Sequence, residues 1–152
     1  MKPLCLTVIA ALLFAAALPV IASATTGTPL PPSAYAWGDK LGWVNLDPAN
    51  GGLIITDTAV TGYAWSRQFG WINFNPIGSG QGVRNTGEGV LSGFAWVGTK
   101  GWLDMSGVSI GADGKFSGVA GHADTAAGRL SFDCAACSVV TDWRPLSVRQ
   151  SQ

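Results

Sequence analysis

Charge is scarce in this chain, and so are the residues most chemistry needs. Of 152 residues only 12% are charged, nine basic against nine acidic, and His122 is the single histidine. Nucleic-acid binding requires clustered lysine and arginine to neutralise phosphates, and no such cluster is present. A zinc site needs about four ligands, which a single histidine does not go far to supply. The catalytic patterns G-x-S-x-G and H-E-x-x-H and a phosphate-binding loop are all missing. Ser/His/Asp catalysis would have to use His122, which is read as a solvated loop residue. Paired glycosidase carboxylates could arise only if the fold joined distant acids. The chain is therefore expected to be non-enzymatic, with no cofactor and no metal. Helical periodicity is lacking too, and no apolar run beyond the N-terminus could span a bilayer.

At that N-terminus Lys2 precedes an apolar stretch, Leu4–Leu18, and Ala22-Ser23-Ala24 forms an A-x-A cleavage signal. The pattern predicts a secretory signal peptide over residues 1–24. Removing it leaves Thr25–Gln152, with eight basic and nine acidic residues. That length suits one domain with a real core. Cys134 and Cys137 then remain, and in an oxidising compartment the pair is predicted to form a disulfide. Strand-like residues flank it, whereas a redox C-x-x-C belongs at a helix N-terminus. Residues 25–33, TTGTPLPPS, read as an extended, mobile linker. Residues 34–145 are predicted as a β-repeat domain and 146–152 as a tail.

Glycine and tryptophan are plentiful, and they recur together. AYAWGDKLGWVNL (Ala34–Leu46), GYAWSRQFGWINF (Gly62–Phe74) and GFAWVGTKGWLDM (Gly93–Met105) are copies of one unit. Counting Gly62 as position 0, alanine occupies +2, tryptophan +3, glycine +8 and tryptophan +9 in all three. Ser117–Phe132 is a degenerate fourth copy, in which Gly121 and Arg129 replace the tryptophans. It reads as a terminal cap without a further neighbour. A leader of similar sequence precedes each of the second, third and fourth units. Its acids Asp57, Glu88 and Asp113 read as turn residues. Ser138–Trp143 supplies one last strand, stopped by Pro145.

Short period-2 runs punctuated by Gly, Asp, Asn and Pro specify β-structure. The fold class is all-β: tandem hairpins forming a compact antiparallel sandwich or barrel, with a short β-solenoid as the alternative. Two hairpin registers are open. With a four-residue loop, Ser66–Phe69, Trp65 pairs with Gly70. Tyr35, Trp37, Tyr63, Trp65, Phe94, Trp96, Ile72 and Phe74 then form the structural core. Trp71 and Asn73 lie on the other face with Ala64. With a five-residue loop and a glycine bulge, Trp65 stands opposite Trp71.

Trp43/Asn45, Trp71/Asn73 and Trp102/Asp104 are the candidate ligand-binding pairs. Each is spaced i, i+2, so ring and polar group share a face of a strand. An indole can cover the apolar face of a sugar while an amide takes its hydroxyls. Alternatively, the indoles fill space between units and the Asn/Asp side chains bond turn backbone. Asp47-Pro-Ala-Asn50-Gly51 is thin support for a calcium loop.

At the repeat residues the chain resembles secreted bacterial proteins with tandem G-[YF]-A-W-x4-G-W-[IVL]-[ND]-[FLM] units. In these a C-x-x-C and a V-x-T-x-W-like strand can close the array, as Cys134–Cys137 and Val140–Trp143 would here. The resemblance covers roughly Ala34–Pro145. It implies export and a cell-envelope or extracellular setting, and no reaction. The expected function is adhesion or binding through aromatic repeats, with a glycan or cell-envelope component as partner. The alternative is a self-assembling structural subunit in which residues 25–33 act as a donated segment. A hydrolase or thiol oxidoreductase is a third reading.

Overall fold

Thirteen short strands follow one another along the described residues, 26–151 of a computed structural model. The signal peptide expected over residues 1–24 lies outside them. The strands are β1 (Pro29–Gly38), β2 (Gly42–Asn45), β3 (Gly52–Ile55), β4 (Ala59–Ser66), β5 (Gly70–Asn73), β6 (Val83–Asn85) and β7 (Leu91–Ser92). They continue as β8 (Phe94–Val97), β9 (Gly101–Asp104), β10 (Val108–Ile110), β11 (Phe116–Gly121), β12 (Arg129–Ser131) and β13 (Ser138–Thr141). A short helix, α1 (Leu146–Gln150), follows. The fold is all-β: one antiparallel sheet curled into a half-barrel.

Each repeat is a hairpin: β1–β2, β4–β5, β8–β9 and β11–β12. Neighbouring hairpins join in a constant register. Position +10 pairs with +4 of the next unit, and +11 with +3. Val44 thus meets Ser66, and Asn45 meets Trp65; Ile72 meets Val97, and Asn73 meets Trp96. The fourth hairpin joins the first in the same way, Leu130 to Gly38 and Ser131 to Trp37. It is therefore not the terminal cap that its missing tryptophans suggest, because β1 is its neighbour. Within every hairpin the +12 N–H donates to the carbonyl at position 0, at 2.8–3.1 Å for Leu46, Phe74, Met105 and Phe132.

The leader strands repeat as faithfully. Leu53 pairs with Gly62, and Val108 with Gly118. The first unit has no leader before it in sequence, and β13 takes that place: Val139 pairs with Ala34, and Ser138 with Tyr35. The C-terminus thus completes the N-terminal unit. The described part of the expected linker, residues 26–33, is not free, since Pro29 opposite Thr141 and Gly27 opposite Ile55 build it into the sheet. Nor is the tail free. Leu146 N–H donates to Gly87 O at 2.9 Å, and Ser147 Oγ donates to Glu88 at 2.6 Å. Asp57 accepts from the indole N–H of buried Trp143 at 2.9 Å and from Arg149. Asp57 and Glu88 are anchors for the C-terminus rather than turn residues alone.

The core sits on the concave side and is built from even positions. Ala36, Ala64, Ala95 and Ala120 at +2 face Val44, Ile72, Leu103 and Leu130 at +10, and all eight are fully buried. Alanine is required at +2 because an aliphatic side chain lies directly across from it inside the curl. Ile72 and Phe74 are buried as expected. The other expected core residues are not. Tyr35, Trp37, Tyr63, Trp65 and Trp96 are exposed on the outer face, and Phe94 is half-buried there. The bulged register is the one adopted: Trp65 stands opposite Trp71, and Ser66 opposite Gly70. The cause is glycine at +8. Gly42, Gly70, Gly101 and Gly128 have φ between 65° and 84°, a region costly for other residues. One residue of slip sends every side chain after the loop to the opposite face.

Candidate functional site

The outer face of the hairpins carries nine aromatic side chains, at positions +1, +3 and +9 of three units. Cross-strand pairing at +3 and +9 brings the tryptophans together edge to face. Ring centroids are 5.1 Å apart in Trp37–Trp43, 4.8 Å in Trp65–Trp71 and 4.8 Å in Trp96–Trp102. The +1 ring joins in two units, Tyr63 at 6.1 Å and Phe94 at 6.3 Å from the +9 indole. Such geometries suit the ring quadrupole. Even so, Tyr35, Trp37, Tyr63, Trp65, Trp71, Trp96 and Trp102 keep 38–46% of their surface in solvent.

The polar partners at +11 are half-buried and locally fixed. Asn45 Oδ1 accepts from Asp47 N–H, and Asn73 Oδ1 from Asn75 N–H, both at 2.9 Å. Each side chain thus bonds turn backbone, and its Nδ2 remains a donor. Asp104 departs from this pattern. It accepts from Ser106 N–H at 2.9 Å and from the Ser106 hydroxyl, and lies 3.5 Å from His122 Nε2. The Ser106 hydroxyl, more than His122, holds its carboxyl below the usual range. In the register of the other seams, Asp104 would neighbour a +3 tryptophan, but the fourth unit has Gly121 there.

The predicted pairs therefore stay on one surface but on separate hairpins. Trp43 and Asn45 enter an open cleft of about 590 Å3 together with Tyr35 and Trp65. Pro32, Arg67, Ala136 and Ser138 complete its walls. Trp71 lines a smaller hollow with Tyr63 and Asn50, and Trp102 one with Phe94 and Gln81. Reading the sequence missed Tyr35 and Trp65 as site residues, since their parity was assigned inward. It missed Arg67 because nothing local marks a loop arginine. Ser138 arrives only through β13, and Ala136 through the disulfide-closed turn before it.

Cys134 and Cys137 are joined in a disulfide, with Cα atoms 4.8 Å apart. Among the described residues no group of three or more His, Cys, Asp or Glu side chains could hold a metal ion, and no helix is long and apolar enough to cross a membrane. Every buried side-chain polar atom among them has a hydrogen-bond partner. No protein-family model, curated protein or solved structure matches the chain.

Proposed function

We propose that this protein is a non-enzymatic, exported binding module that adheres through its aromatic repeats to glycan at a cell surface or in an extracellular matrix. The observation that carries the reading is the exposure of five of the six paired tryptophans on the outer face, Trp43 being half-buried. Large apolar rings gathered on a surface mark interaction sites. Indole faces beside free amide donors suit sugars, which combine apolar C–H faces with hydroxyls. The signal-like N-terminus and a disulfide both accord with an oxidising destination. The rival reading, self-assembly through a donated N-terminal segment, has less support. Pro29 and Ala34 already pair with β13 of their own chain.

The test is tryptophan fluorescence and direct binding on a panel of glycans and peptidoglycan. Quenching or a spectral shift with at least one polysaccharide is expected, and Trp71→Ala should stay folded while weakening it. Silence across the panel from folded protein removes the adhesion reading.

A further inference from the structure

Resting on the glycan reading, we propose that the cleft between the first and second hairpins takes an acidic sugar residue, with its carboxylate on Arg67. The volume, about 590 Å3, falls in the range of small-molecule sites, ~300–1,000 Å3. Tyr35, Trp43 and Trp65 make its apolar walls, and Asn45 contributes the amide whose oxygen is already held by Asp47.

Arg67 is the one charged residue on this lining. Among the described residues no carboxylate lies within ion-pair distance of its guanidinium. Cations at the neighbouring seams are engaged. Arg129 pairs with Asp39 at 3.6 Å, Lys40 donates to two carbonyls at 2.6 and 3.1 Å, and Lys100 sits 4.3 Å above the ring of Phe69. Nor does the repeat require arginine at this loop position, since the first and third units have Asp39 and Gly98. The aromatic cleft therefore presents an uncompensated planar cation beside a hydroxyl-binding amide. A guanidinium fork matches a carboxylate in two parallel hydrogen bonds. A pyranose carrying that carboxylate would lie against the indoles and reach Asn45 Nδ2.

Isothermal titration calorimetry should compare an oligogalacturonate, a neutral hexose oligomer of equal length and a sulfated version of the neutral one. Roughly ten-fold tighter binding of the uronate than of the neutral oligomer is expected. Arg67→Gln should erase that preference and Arg67→Lys restore part of it. Equal affinity for uronate and neutral oligomers, or a preference unchanged in Arg67→Gln, overturns the acidic-sugar site and leaves the glycan reading standing. Tighter binding of the sulfated oligomer overturns the carboxylate assignment. No binding of any saccharide by folded protein overturns both.

Discussion

Along β4 and β5, alternate residues belong to two different surfaces. Ala64, Ser66 and Ile72 have no exposed surface, whereas Tyr63, Trp65 and Trp71 keep 42–46% of theirs. At +2, +3 and +9 residue size therefore runs opposite to the usual expectation, with alanine inside and tryptophan outside, while Phe74 at +12 is buried. The concave side of a tightly curled sheet has little room. It is filled by one aliphatic row at +10, a second apolar row at +12 and the buried side chains of the leader strands, among them Leu53, Ile55, Val108 and Ile110, so a large ring at +2 would overpack it. The convex side spreads apart and accommodates rings, which stabilise the hairpin by packing edge to face across strands. The inner face decides whether the chain folds. The outer face is free to recognise something.

The sharpest break of this comparison is removal of residues 138–152. Unit one then loses its leader strand and Asp57 loses its partners, so the truncated chain should show no cooperative thermal unfolding by circular dichroism. A large effect at a single site is expected from Phe74→Ala. A cavity at a fully buried phenylalanine should cost about 3–5 kcal/mol in urea denaturation. Gly62→Ala comes next. Its φ is +95°, and an added Cβ would lie 2.1 Å from Gly52 O, so a loss of about 3 kcal/mol is expected. On the outer face Trp71→Ala should cost only about 1 kcal/mol while weakening glycan binding. A stability loss as large as that of Phe74→Ala would erase the distinction between the faces.

The smallest effect concerns pH. The carboxyl of Asp104 titrates lower in the folded protein than its ordinary value of 3.8. Its contribution to stability is therefore complete above that value and is lost as pH falls through the lowered folded pKa. Asp104→Asn should remove this acid-side slope. Unchanged acid denaturation in the variant would show that Ser106 and His122 do not stabilise the charged form.

Much of this architecture is legible from residue order. The strand class follows from period-2 runs between glycines, and the unit boundaries follow from Gly62, Gly93 and Gly118. Ile72 and Phe74 read correctly as core. The facing of Tyr35, Trp37, Tyr63, Trp65 and Trp96 does not, because parity across a hairpin depends on whether glycine at +8 counts as strand or as bulge. Local sequence permits both. The binding candidates Trp43 and Asn45 were visible as a pair, but the cleft they enter needed Trp65 from the next hairpin and Ser138 from the far end of the chain.

The sequence by itself determined that this protein is a β-repeat with three tryptophan-bearing units and one without, since turn glycines and alternating side chains act over a few residues. Only the tertiary structure decided that the tryptophans face outward and that the fourth unit joins the first. It also decided that β13 serves as the missing leader. The last two depend on strand pairing between residues about a hundred positions apart, such as Ala34 and Val139. The first depends on the hairpin register and on the space left inside a curled sheet, neither of which the side-chain pattern alone records.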